Sequence, residues 1–255
     1  MYIMDIHEKI ERAADIILKA NKVVALTGAG ISVESGIPDF RGAQGLWEKY
    51  DPMEYATIDA FISNPAKVWG MLMEMHHIIR DAKPNPAHIG LAKMEEMGVL
   101  DLIITQNVDH LHQDAGNRRV VEFHGNNKYL VCMTCNNRFL RDDIVIEDLP
   151  PRCDCGGVLK PDVVFFGEAI PWKALIVARE ESKRCNAMLV IGTSAVVAPA
   201  CDMPVLAKEN GAKIIEINKE ETHLTNTISD IHLMGPAGQI VPALVDVISR
   251  KMAQK

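Results

Sequence analysis

Ile6, Ile10, Ala13 and Ile17 recur at helical spacing among charged residues, which predicts an amphipathic helix near the N-terminus. The run 22–27 (KVVALT) is instead continuously apolar and β-branched and ends on Gly28-Ala29-Gly30, the pattern of a buried strand that turns sharply at its carboxyl end. Further strands are predicted at 102–105, 120–123, 187–191, 213–217 and 231–234, separated by helical patterns of ten or more residues. That alternation specifies a mostly parallel sheet covered on both faces. The helix predicted over 86–97 carries both end signals, Pro86 in its first turn and Gly98 just past its last.

Two stretches break the alternation. Over 128–160, cysteines, Asn136-Asn137, Pro150-Pro151 and Gly156-Gly157 take over, which marks a small inserted module. A loop at 39–50 combines Gly42 and Gly45 with Phe40, Leu46 and Trp47, a segment that can close over a ligand. The predicted organisation is therefore a large domain over 1–127 and 161–255, including that loop and inserted helices at about 51–83, with the small module at 128–160.

Composition narrows the function. With 255 residues, 48% hydrophobic and 24% charged, the chain buries enough surface to fold without crosslinks. A net charge of −7 leaves no basic field for nucleic acid, so no direct nucleic-acid partner is expected. The most apolar stretch, 187–200, is interrupted by Gly192, Thr193, Ser194 and Pro199 and is too short to cross a membrane. The charged N-terminal segment lacks the features of a signal peptide, so a cytoplasmic location is expected. Nothing in the sequence signals an oligomeric state.

Four of six cysteines lie between Cys132 and Cys155, which suits a metal better than a spread disulfide framework. Cys132-x-x-Cys135 and Cys153-x-Cys155, seventeen residues apart, approach the spacing of a four-thiolate zinc site. The second pair is one residue tighter than usual, and Gly156-Gly157 can relieve its turn. Four thiolates close the coordination shell, so one structural zinc per chain is expected. Cys185 and Cys201 read as packing residues.

Gly28 and Gly30 after a strand let a backbone approach a diphosphate, with free N–H groups at the start of the next element; a tight strand-to-helix turn uses the same residues. The dehydrogenase fingerprint would need a third glycine where this chain has Val33. The longer pattern is more specific. Gly28-Ala29-Gly30-Ile31-Ser32, Glu34-Ser35-Gly36-Ile37-Pro38-Asp39-Phe40-Arg41-Gly42, Thr105-Gln106-Asn107-Val108-Asp109 with Leu111-His112 and Ala115-Gly116, His124-Gly125, the paired cysteines, Val163-Val164-Phe165-Phe166-Gly167-Glu168, Gly192-Thr193-Ser194 and Asn218 occur in that order. Together they resemble the sirtuin family, most of all its prokaryotic members, over most of the chain.

The resemblance implies NAD as co-substrate and removal of an acyl group from lysine in protein substrates, releasing nicotinamide and 2'-O-acyl-ADP-ribose. The nicotinamide bond breaks, the acyl oxygen attacks the ribose carbon, and a base then helps a ribose hydroxyl attack the resulting imidate. Neutral imidazole, with an ordinary pKa of about 6.5, suits that base, and His124 matches the catalytic histidine. Asn107 is implied to hold the nicotinamide-ribose region and its water. Asp109 is implied to accept from the nicotinamide carboxamide, although an aspartate there also suits a helix cap. Gln106, Gly192, Thr193, Ser194 and Asn218 are implied ribose and turn contacts. Gly28, Ala29, Gly30, Ser32, Glu34 and Asp39 belong to the implied NAD loop, with Arg41 beside the diphosphate and Phe40 shielding the reacting ribose from water.

Val163, Phe165, Phe166, Gly167 and Glu168 are implied to bind the substrate backbone as an added strand. Sirtuins that prefer acidic acyl groups carry a Tyr and an Arg where this chain, aligned on Val68-Trp69, has Leu72 and Met75. Without that cation neutral acyl groups are favoured. The fold expected is α/β: a large doubly wound Rossmann-like parallel-sheet domain with a small inserted zinc-binding domain. The activity expected is NAD-dependent deacetylation. Transfer of ADP-ribose to a protein, or NAD sensing with negligible turnover, are the alternatives.

Overall fold

The computed structural model describes residues 5–40 and 45–254. Its helices are α1 (Ile6–Lys19), α2 (Leu46–Lys49), α3 (Pro52–Tyr55), α4 (Ile58–Ser63), α5 (Pro65–Asp81), α6 (Pro86–Glu96), α7 (Leu111–Asp114), α8 (Trp172–Arg184), α9 (Asp202–Glu209) and α10 (Ala237–Ala253). The strands are β1 (Val23–Thr27), β2 (Leu102–Thr105), β3 (Val120–Glu122), β4 (Gly125–Cys132), β5 (Arg138–Leu140), β6 (Leu159–Val163), β7 (Ala187–Ile191), β8 (Lys213–Asn218) and β9 (Ile231–Met234).

Six of these strands form one parallel sheet in the order β3-β2-β1-β7-β8-β9. This is the doubly wound Rossmann order, and it reverses direction between β1 and β7, where open α/β sheets form their ligand crevice. All five residues of β1 are buried because both faces are covered. Val23 and Ala25 pack with Ile10, Leu91 and Leu244 of α1, α6 and α10 on one face. Val24 and Leu26 pack with Ala178, Met203 and Ala207 of α8 and α9 on the other. Each predicted strand of this sheet is present, with boundaries within one residue. In α6, Asn85 and His88 close a capping box around Pro86, and Gly98 takes the left-handed conformation (φ 71°) that ends the helix. Among the described residues no helix is long and apolar enough to cross a membrane.

The cysteine-rich stretch is more regular than its sequence: β4, β5 and β6 form an antiparallel sheet in the order β5-β4-β6. Its strands escape the hydrophobic pattern because β4 opens on Gly125-Asn126-Asn127-Lys128 and β6 contains Pro161. The register shifts between Asn126 and Leu130, where Pro161 pairs, since a proline has no N–H for a regular ladder. Residues 46–75 pack on this sheet through Phe61, Trp69 and Leu72, with Leu130, Leu159 and Phe165 opposite. Trp69 is fully buried and its indole N–H donates to the Leu159 carbonyl at 2.9 Å, which orients α5 as well as burying it.

Candidate functional site

The crevice at the sheet reversal is built from the carboxyl ends of β1, β2, β7 and β8. The Gly28 N–H donates to Ile191 O at 3.0 Å and the Gly30 N–H to Gly192 O at 2.8 Å. A Cβ on Gly28 would lie 2.7 Å from Thr193 Cβ, and one on Gly30 2.8 Å from Gly192 Cα. Gly192 itself sits at φ 60°, and its Cβ would meet Ile31 N at 2.3 Å. These glycines are thus required by the approach of two protein turns, and their N–H groups are engaged within the protein. The Ala29 N–H has no partner among the described residues and stays available for an anion.

Side chains then knit the turns together. The Gln106 amide donates to Thr193 Oγ1 at 3.0 Å, and the Asn218 amide to Thr193 O at 3.0 Å. The Asn107 amide donates to Gly28 O (3.1 Å) and Ser32 Oγ (3.0 Å). Ser32 in turn donates to Asp109 Oδ2 at 2.7 Å, while Asp109 Oδ1 accepts from the Leu111 N–H at 3.0 Å. Asp109 therefore does serve the following helical turn, and burial pushes its carboxyl pKa up.

His124 follows β3 and precedes Gly125, which has φ 77° and would place a Cβ 2.1 Å from Asp162 O. The His124 Nδ1 lies 3.0 Å from Gln106 O. A carbonyl only accepts, so Nδ1 carries the proton and Nε2 is left as the basic nitrogen, without a protein partner among the described residues. Burial lowers the pKa of this imidazole, against the opposing pull of the Gln106 carbonyl, so the ring is neutral at pH 7.

Beneath the crevice is a polar layer of which only part, Thr105 and His112, falls within the family pattern. Thr27 and Thr105, in register on β1 and β2, share a hydroxyl contact of 2.9 Å; Thr27 also meets His112 Nε2 at 2.9 Å, and Thr105 accepts from the Asn107 N–H at 3.1 Å. His88 accepts from the Asn85 N–H through Nδ1, which turns its Nε2 toward Ser32 Oγ at 3.5 Å. Burial pushes the His88 pKa down to about 4 and that of His112 well below its ordinary value. Its signals in the sequence are the pair of threonines closing two apolar strands and, within the family pattern, His112.

Other predicted residues lie around this web. Glu34 accepts from the Gly238 N–H at 2.7 Å in the first turn of α10. Asp39 O accepts from the Leu46 N–H at 2.8 Å, and Phe40, partly exposed, stacks on Trp47 at 5.2 Å. Arg41 lies outside the described residues. Ser194 is exposed beside Thr193. Val164 donates to His124 O at 2.9 Å, which brings the 163–168 segment to the His124 side of the crevice. Leu72 is buried and Met75 half-buried in the cluster that contains Phe165.

Cys132, Cys135, Cys153 and Cys155 bring all four sulfurs within 4.8 Å of one another, with Sγ separations of 3.5 Å (132 to 155) and 3.7 Å (135 to 153). Zn–S bonds of about 2.3 Å in a tetrahedron require S–S edges of roughly 3.8 Å, so the quartet fits zinc. The tight second pair is accommodated by Gly156 at φ 84° and by Gly157, whose Cβ would lie 2.6 Å from Cys132 Sγ. The Cys135 and Thr134 N–H groups point at Cys132 Sγ and favour its thiolate.

Known proteins share this fold. The Sir2 family profile matches residues 28–199. The NAD-dependent protein deacylase 2 of Archaeoglobus fulgidus is 45% identical over 254 residues, covering 97% of this chain and 99% of the relative. A solved complex of a Sir2 homologue with NAD superposes with a TM-score of 0.90 at 43% identity, covering 98% of this chain and 96% of that one. A Sir2 protein bound to a myristoylated histone peptide superposes with a TM-score of 0.82 at 39% identity, covering 97% and 99%. The reversed parallel sheet, the web of turns at its switch point and the thiolate quartet thus come with a likeness that runs almost end to end, and the chain belongs to the Sir2 family.

Proposed function

We propose that the protein is an NAD-dependent protein-lysine deacylase that acts chiefly as a deacetylase, consuming water and NAD and releasing free lysine, nicotinamide and 2'-O-acyl-ADP-ribose. The observation that carries this reading is the His124–Gln106 hydrogen bond, which fixes a neutral imidazole with its Nε2 unprotonated beside the switch point of the parallel sheet. NAD, when bound, supplies a ribosyl carbon that accepts the acyl oxygen and a ribose hydroxyl that accepts the acyl group. His124 takes the proton from that hydroxyl. Asn107, held by Gly28 O and Ser32, orients the nicotinamide ribose and its water. Asp109 keeps lone pairs free for the nicotinamide carboxamide after meeting Ser32 and Leu111.

The unpartnered Ala29 N–H suits a diphosphate oxygen, and Gln106, Gly192, Thr193, Ser194 and Asn218 suit the ribose ends. Val163, Phe165, Phe166, Gly167 and Glu168 receive the peptide main chain, and the stacked Phe40–Trp47 pair keeps water from the reacting ribose. Leu72 and Met75, apolar on α5, favour neutral acyl groups over carboxylates. The substrates are acylated-lysine proteins, met in the cytoplasm. The name of the Archaeoglobus relative and the acylated peptide on the Sir2 neighbour support this assignment.

A nicotinamide-release assay with and without an acetylated peptide tests it. Peptide-dependent release that is lost in a folded His124→Ala variant is the expected result. Release with label transferred to protein indicates an ADP-ribosyltransferase instead, and no release at all indicates a sensor.

A further inference from the structure

Lys160 is buried, with 7% of its surface exposed, on the strand that leads from the cysteine quartet to the crevice. Its ammonium donates to Val163 O at 2.6 Å and to Glu168 Oε2 at 2.9 Å, and lies 4.7 Å from the centre of the Phe165 ring. The same Glu168 oxygen accepts from the Phe165 N–H at 2.8 Å. Glu168 N also donates to Phe165 O at 3.0 Å across a turn that needs Gly167 at φ 88°. One cation therefore ties both ends of the 163–168 segment and, through Glu168, its middle. From outside, Val164 is bonded to His124 O, while Phe166 is bonded through its N–H to Ala56 O (2.9 Å) and through its carbonyl to Ile58 N (3.0 Å).

We propose that Lys160 is a positioning residue that holds the 163–168 segment in the shape that accepts an acylated peptide. The proposal rests on the deacylase reading and names a determinant of its peptide site. The clamp orders the segment before the substrate arrives and, among the described residues, leaves the Val164 carbonyl and the Gly167 main chain without partners to receive it, so it acts on peptide affinity. None of its bonds reaches Gly28–Ser32, Gly192–Ser194 or Asn218, so NAD binding is untouched. A buried ammonium without its carboxylate, or the reverse, leaves an uncompensated charge, which makes the pair a unit.

Three variants, Lys160→Met, Lys160→Arg and Glu168→Gln, separate positioning from stability. Lys160→Met raises the KM for an acetyl-lysine peptide about tenfold or more while the KM for NAD and the zinc content stay within about twofold of wild type. Lys160→Arg recovers most of the loss, and combining Lys160→Met with Glu168→Gln adds little beyond Lys160→Met alone. A peptide KM within twofold of wild type, or an NAD KM that rises in parallel, overturns the proposal. If Lys160→Met does not fold, Glu168→Gln carries the same comparison. Amide hydrogen exchange reads the clamp without turnover: protection at Phe165 falls about tenfold or more while β7 is unchanged. Unchanged protection overturns the clamp whatever the activity, whereas a wild type that releases no nicotinamide overturns only the deacylase reading.

Discussion

His124 and Gln106 are joined by an Nδ1–H to carbonyl hydrogen bond of 3.0 Å, so the sheet backbone at the end of β2 selects the tautomer of the imidazole. Because burial holds the His124 pKa below its ordinary value of about 6.5, activity falls only when the pH drops below that value. The expected kcat profile is flat near pH 7 with an acid limb centred below 6.5, and His124→Ala lowers kcat by about 10²–10⁴-fold. An acid limb centred above 6.5 contradicts the assignment.

The two histidines beneath the crevice make the fold acid-sensitive. The folded-state pKa of His88, about 4, lies below its unfolded value of about 6.5, so the neutral ring's stabilisation is complete above pH 6.5 and is lost as the pH falls toward 4. The shift corresponds to about 3 kcal/mol over that window. Thermal unfolding across this range, for wild type and His88→Gln, reads it directly: the wild-type Tm falls more steeply.

Removing zinc disrupts more than the quartet. Cys132 pairs with Leu159 in the same ladder that pairs Gly125 with Val163 beside His124. Chelation is expected to release one zinc per chain, lower Tm and abolish turnover, and cadmium is expected to restore turnover because a closed four-thiolate shell takes no part in the chemistry. Turnover that survives complete metal loss runs against this coupling.

With Leu72 and Met75 proposed to line the acyl site, a selectivity is expected. A carboxylate brought among the apolar side chains around them meets neither residue as a cation, so kcat/KM for acetyl-lysine is expected to exceed that for succinyl-lysine by about a hundredfold. Equal values on the two peptides reject this reading of the pocket.

Gly192→Ala tests the junction of the two turns. The added methyl would sit 2.3 Å from Ile31 N at a φ of 60°, so a loss of about 2 kcal/mol or more in stability is expected, with a raised KM for NAD. Urea unfolding and NAD titration of the variant check both effects.

The large sheet was legible because each of its strands is a short apolar run between turn signals, as in β1 and β7. The small sheet was not, because polar Asn126 and Asn127 and the ladder-breaking Pro161 hide its period. The cysteine quartet could be read from spacing alone. The candidate roles of 163–168, of the glycine loop after β1 and of His124 needed the longer family pattern, since a histidine or a G-x-G is chemically ambiguous by itself. Beneath them, His88 and Lys160 become recognisable only when three-dimensional packing removes them from water, and the buried role of His112, which the family pattern contains, appears there too. The engagement of Gly28 and Gly30 by Ile191 and Gly192 is likewise a tertiary fact, carried by no local motif.

That engagement bears on how the molecule matures. The loop at the end of β1 takes its shape from carbonyls at the end of β7 and just beyond it, in the far half of the polypeptide. A nascent or half-assembled molecule lacks those carbonyls and has no formed crevice. Competence to bind the dinucleotide therefore requires β7 to be docked beside β1.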